Sequence, residues 1–200
     1  MAAHPGHESR NRVDLAAHWD AAYADGDGDR SWTQEQPVES LDAIASVSPG
    51  LHAPLIDVGG GSSRLSAALL DAGHADITVL DLSIEGLELA RRRLGPRAAM
   101  ITWLAADLLT WQPTREYAVW HDRAVLHFFT EPGDRSRYVD TLRSALSPGG
   151  RAIIATFAPD GPDRCSGLPV QRYSAPDIGD LLGNDFEVLR DHLLANAAVV

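Results

Sequence analysis

Between residues 54 and 157, short apolar runs alternate with longer stretches in which apolar residues return every third or fourth position. The runs at 54–58, 76–81, 100–105, 117–121 and 151–157 have the length and aliphatic content of strands buried on both faces. The stretches at 62–72, 84–94 and 134–146 have the period of amphipathic helices. Breakers fall where these helices should stop, at Gly73, at Gly95-Pro96 and at Ser147-Pro148-Gly149-Gly150. This alternation predicts an α/β fold, a mostly parallel, doubly wound sheet with helices on both faces and right-handed crossovers.

The flanks carry a different pattern. Residues 11–24 read as a helix with Val13, Leu15, Trp19 and Tyr23 as its larger apolar positions, broken by the Asp/Gly run that follows. Pro37 suits the first turn of a second helix that buries Leu41, Ile44 and Ala45. A loop at 158–173, rich in Pro and Gly, is followed by a short helix near 175–183 and a last strand near 185–193. Residues 1–10 are polar and read as a disordered tail. The rest, 11–200, reads as a single domain, a helical lid (11–50) over a core (51–200).

Composition narrows the partners. The chain has 28 acidic and 17 basic residues, a net charge of -11, and every basic residue is Arg. With no basic stripe, nucleic acid is not an expected partner. No window approaches a membrane span, and Met1 to Arg10 lack the apolar centre of a secretion signal. The single cysteine, Cys165, fits a reducing cytoplasm.

The candidate chemistry starts at Leu55-Ile56-Asp57-Val58-Gly59-Gly60-Gly61-Ser62, a strand running into a glycine turn and a helix. About 20 residues on, the next strand ends in Asp81, the spacing of a carboxylate that holds a ribose. A dinucleotide turn needs a third glycine, but Arg64 stands there. Asp57 would repel a pyrophosphate and attract an ammonium group. The pattern therefore favours S-adenosylmethionine over a nicotinamide dinucleotide.

In order and spacing these segments resemble the class I, Rossmann-like S-adenosylmethionine-dependent methyltransferases, over roughly Trp19 to Leu194. Ile56 to Ser62 is similar to the family's glycine loop, and Leu80-Asp81-Leu82-Ser83 to its ribose segment. Ala106-Asp107-Leu108 resembles the adenine segment. Trp120-His121-Asp122-Arg123 stands where members close the methionine end, and Leu146 to Gly150 is similar to the turn before the fifth strand. Within the family, Trp19-Asp20-x-x-Tyr23 and Ser62-Ser63-Arg64-Leu65 resemble a branch containing protein-lysine methyltransferases and uncharacterised bacterial relatives.

The resemblance implies a cofactor set of Asp57, Gly59, Gly61, Ser62, Asp81, Leu82, Asp107 and Leu108. In it Asp81 takes the ribose hydroxyls, Leu82 and Asp107 the adenine, the backbone from Gly61 to Ser63 the carboxylate, and Asp57 the ammonium. His121 is the candidate base and Asp122 a group that orients the cofactor or attracts substrate. Tyr23, Trp32, Arg123 and Cys165 are candidate pocket residues. No metal is expected: the His4/His7 and His121/His127 pairs lack a ligand pattern, and Asp25, Asp27 and Asp29 precede Arg30 where a calcium loop needs Gly.

Family members end in two antiparallel strands. Only Leu194 to Val200 follow the expected strand at 185–193, so the final edge strand is expected to be missing or truncated. The expected function is methyl transfer from S-adenosylmethionine, to a small molecule in preference to a protein. A catalytically degenerate cofactor-binding module is the alternative, and oligomeric state is left open.

Overall fold

The computed structural model describes residues 6–24, 34–194 and 197–199. Five strands run parallel: β1 (Leu55–Val58), β2 (Ile77–Asp81), β3 (Ile101–Ala105), β4 (Tyr117–Arg123) and β5 (Leu146–Phe157). A two-stranded ribbon, β6 (Arg164–Cys165) and β7 (Leu168–Pro169), rises from the loop after β5. A terminal hairpin, β8 (His192–Leu194) and β9 (Ala197–Val199), completes a seven-stranded sheet in the order β3-β2-β1-β4-β5-β9-β8. The winding reverses between β1 and β4, and the crevice at their carboxyl ends is where open α/β sheets bind ligands.

Helices cover both faces. Ile44 of α2 (Val38–Val47) and Leu65 and Leu69 of α3 (Leu65–Asp71) pack with Leu55, Val119 and Ile153 on one side. Tyr138 and Leu142 of α5 (Pro132–Ala145) and Ile178 of α6 (Ala175–Leu182) pack with Trp120 and Ile154 on the other. All four residues of β1 and all five of β2 are buried, which is why their sequence reads as continuous apolar runs.

Three details position the site. The α4 helix (Ile84–Leu94) is capped by Ser83, whose Oγ accepts the Gly86 N–H at 3.0 Å. The α1 helix (Gly6–Ala24) lies against it: Asp20 Oδ1 accepts the Ser83 hydroxyl at 2.6 Å and the Glu85 N–H at 3.3 Å. Gly86 admits the Tyr23 ring, since a Cβ there would stand 2.8 Å from Tyr23 Cε2.

Three expectations change. The first helix begins at Gly6, inside the segment expected as a tail. No strand occupies 185–191; the terminal hairpin supplies the strands instead, and β9 pairs antiparallel with Ala155 to Phe157 of β5. The edge strand β9 is thus present and spans three residues. The β5 strand begins at Leu146, because Leu146 pairs with Tyr117 and a register shift carries the chain past Gly149-Gly150. Among the described residues, no helix is long and apolar enough to cross a membrane.

Candidate active site

The glycine turn after β1 folds back on β2. Gly59 and Gly60 donate their N–H groups to the Leu80 carbonyl at 2.7 and 3.3 Å, and Ser63 N–H closes onto Gly60 at 2.8 Å. Gly59 has φ +68° and a Cβ there would run into Val125; Gly61 has φ +44° and a Cβ there would run into the Tyr23 hydroxyl. Both positions need glycine for conformation and for space.

Asp81 ends β2 beside this turn. Its Oδ1 accepts the Ser83 N–H at 2.7 Å, and the Gly61 N–H also bonds to the carboxylate. Burial pushes its pKa up to about 6; the two N–H groups oppose the shift, while Asp57 and Asp20 add to it.

A cavity of about 730 Å³ opens at the crevice. Of the expected cofactor set, Gly59, Ser62, Asp81, Leu82, Asp107 and Leu108 line it; of the expected pocket set, Tyr23, Arg123 and Cys165 do. Gly61 borders Tyr23 and Asp81. Trp32 lies outside the described residues. Asp107 fixes its own loop, its Oδ1 accepting the Leu109 N–H at 2.9 Å. Burial raises the Cys165 pKa, which favours the thiol over the thiolate.

Asp57 and His121 take different places from those expected. They are register partners on β1 and β4, and His121 Nδ1–H meets Asp57 Oδ1 at 2.7 Å. The Ser40 hydroxyl of α2 lies 3.0 Å from His121 Nε2, which accepts its proton in the neutral ring. All three residues are buried. The Asp57 carboxylate also sits beneath Gly60, where a Cβ would stand 2.7 Å from Oδ2. The Ser40–His121–Asp57 chain therefore ties α2 to the sheet and props the glycine turn from behind. Neither Asp57 nor His121 lines the cavity at the crevice.

Asp122 is also turned inward, onto the opposite face of the sheet. It is wholly buried and accepts N–H groups of Val125 at 2.8 Å and Leu126 at 3.1 Å and the Tyr138 hydroxyl at 2.7 Å. Burial raises its pKa to about 6 against these three donors. The bonds hold a turn in which Ala124 has φ +75°. That turn brings Val125 against Gly59, so Asp122 shapes the cavity floor without opening into it.

Several lining residues were not among those expected. Trp19 packs edge-on against Phe128 with ring centroids 5.1 Å apart, and both line the cavity with Phe129. Ser166 brings the β6–β7 ribbon over it, and the His18 ring donates to the Ser166 carbonyl at 3.1 Å. Gln34 and Arg64 also line it. The paired Phe128-Phe129 after a polar strand end was the one local signal available; Gln34 carries none.

Residues 55–150 match the methyltransferase domain family. The match covers just under half of the chain, and the chain has the fold of the class I methyltransferases. The matched segment runs from the first residue of β1 into β5, so it holds the glycine turn, Asp81 and Asp107. No curated protein matches the chain.

Solved methyltransferases share the fold. The 1,6-didemethyltoxoflavin-N1-methyltransferase of Burkholderia thailandensis, with 1,6-didemethyltoxoflavin and S-adenosylhomocysteine bound, is 23% identical over 91% of this chain and 80% of its own, with a TM-score of 0.68. A structure described for the conversion of a disulfide bond into a thioacetal group during echinomycin biosynthesis is 20% identical over 92% of this chain and 90% of that one, with a TM-score of 0.70. The glycopeptide N-methyltransferase MtfA bound to S-adenosyl-L-methionine is 16% identical over 80% of this chain and 90% of its own, with a TM-score of 0.65. In its sinefungin complex MtfA is matched over only 54% of its length. At these identities the likeness is one of fold.

Proposed function

We propose that this chain is a cytoplasmic enzyme that transfers the methyl group of S-adenosylmethionine to a small-molecule acceptor. The observation that carries the reading is the buried Asp81 carboxylate, held by the Ser83 and Gly61 N–H groups at the edge of a glycine-shaped cavity. A nucleoside diol matches it: two adjacent hydroxyls donate to one carboxylate.

The residues present fit the cofactor. Asp81 would take the ribose, and Leu82, Asp107 and Leu108 would hold the adenine. The cofactor supplies a sulfonium-bound methyl group whose carbon–sulfur bond breaks as the acceptor's lone pair bonds to carbon, leaving S-adenosylhomocysteine. The protein's task is then mainly to align the acceptor and exclude water. Trp19 and Phe128 provide an apolar wall for this, and their ring faces suit a cationic sulfonium.

The acceptor is a small molecule that brings its own nucleophilic lone pair. His121 and Asp122, the expected catalysts, are bonded within the protein and do not line the cavity, so neither is the base in this reading. The His18 bond to the Ser166 carbonyl ties α1 to the ribbon whose Cys165 and Ser166 line the cavity, which favours a compact acceptor over an extended peptide. Bound 1,6-didemethyltoxoflavin in the Burkholderia relative supports a small acceptor. The likeness to the protein-lysine branch rests on residues with structural tasks here: Asp20 holds α1 to α4, and Tyr23 covers Gly61.

Incubation with methyl-labelled S-adenosylmethionine and a fractionated cell extract tests the proposal. Label is expected in the small-metabolite fraction. Label in protein alone refutes the acceptor class, and label in neither, from a chain that binds S-adenosylhomocysteine, refutes catalysis in favour of a binding module.

A further inference from the structure

Two shielded polar atoms belong to residues that line the cavity and lack hydrogen-bond partners among the described residues: Arg64 Nε and Gln34 Oε1. Their neighbours fix their roles. Gln34 Nε2 donates to Glu39 Oε2 at 3.4 Å, so the other amide atom is the carbonyl oxygen, an acceptor. Arg64 Nη2 pairs with Glu35 Oε1 at 3.0 Å, which orients the guanidinium and leaves its Nε–H, a cationic donor. Shielded polar atoms are nearly always paired in native proteins, so two on residues that line one cavity mark a place for a ligand's polar groups.

The pair specifies a chemistry. A cationic donor and a neutral acceptor, brought into one neighbourhood by the Arg64–Glu35 ion pair, complement an anion next to an N–H donor, which is the arrangement of an α-amino acid. Arg64 directly follows Ser62 and Ser63, which also line the cavity, so Arg64 stands at the glycine-turn end. Asp57, the carboxylate expected to take an ammonium group, is instead bonded to His121.

We propose that Arg64 Nε–H binds the α-carboxylate, and Gln34 Oε1 the α-ammonium, of the cofactor's amino-acid end. The inference rests on the cofactor reading above and assigns that end to residues outside the glycine motif. It gives Arg64 a task at the position where a dinucleotide turn carries glycine. It also makes Gln34 part of the cofactor site.

Calorimetric titration of the full chain with two ligands tests this: S-adenosylhomocysteine, and 5′-methylthioadenosine, which keeps the nucleoside and thioether but lacks the amino acid. Arg64→Met is expected to weaken S-adenosylhomocysteine binding about tenfold or more, the scale of a lost charge-assisted hydrogen bond, and to leave methylthioadenosine within about twofold. Gln34→Leu should give a smaller loss of the same selectivity, and it serves as the test if Arg64→Met does not fold. Equal losses for both ligands, no loss for either, or a wild-type chain that binds the two equally would overturn the clamp and leave the nucleoside site standing. A folded wild-type chain that binds neither ligand would overturn the cofactor assignment and the clamp with it.

Discussion

Binding of S-adenosylhomocysteine should weaken about tenfold between pH 8 and pH 5, and Asp81→Asn should remove most of that dependence. Burial holds the Asp81 pKa at about 6 in the ligand-free protein. At pH 5 only about one molecule in ten then carries the carboxylate, while at pH 8 nearly all do. The ribose hydroxyls need acceptors, and a proton on Asp81 replaces one acceptor with a donor. Affinity is therefore full above about pH 7 and falls as pH drops through about 6, by roughly the ionised fraction.

The ligand-free protein should follow the opposite course. A pKa raised above the unfolded value contributes stability that is present at low pH and lost as pH rises through the folded value. Asp81→Asn should thus raise ligand-free stability at pH 8 by about 1–2 kcal/mol while weakening binding. Asp20→Asn is a control: removing the neighbouring charge that raises the Asp81 pKa should shift the binding midpoint downward. The assay is calorimetric titration at half-unit steps of pH, with circular dichroism confirming the fold at each. A flat wild-type profile, or the same slope in Asp81→Asn, would refute the reasoning.

Three further outcomes are expected. His121→Asn leaves the buried Asp57 without its ring N–H donor and should lower stability by about 2–4 kcal/mol in urea melts, while the pH dependence of turnover keeps its shape. Gly61→Ala should weaken S-adenosylhomocysteine binding at least tenfold through collision with Tyr23, and Tyr23→Ala in that background should recover part of it by calorimetry. His127 is fully buried with neither ring nitrogen partnered among the described residues, and burial lowers its pKa to about 4. Its contribution to stability is present above about pH 6.5 and lost as pH falls towards 4, by up to about 3 kcal/mol, so His127→Leu should flatten that loss in melts between pH 4 and 7.

The central strands were legible because burial on both faces leaves unbroken apolar runs, and Gly73 and Gly95 mark the ends of α3 and α4. The start of β5 was not, because Pro148-Gly149-Gly150 has turn composition although the strand runs through it, with Gly149 at φ +74°. The terminal hairpin was hidden by composition: Phe186, Val188 and Leu189 make the segment before it read as a strand, whereas Ala197-Ala198-Val199 carries little strand signal of its own. At the site, residue types and order identified Asp81, Asp107 and the glycine turn. The side-chain directions of Asp57 and His121 depend on a register between strands more than sixty residues apart, with Asp57 opposite His121. No local pattern encodes that pairing, and the same holds for Gln34, whose part in the cavity comes from tertiary placement.

A crystal structure of the chain grown with saturating S-adenosylhomocysteine tests the central claim most directly. The expected result is the nucleoside in the crevice between β1 and β4, with both ribose hydroxyls on the Asp81 carboxylate and the adenine against Leu82 beside Asp107. Density for the nucleoside away from Asp81, or a crevice filled by protein side chains under those conditions, would contradict it.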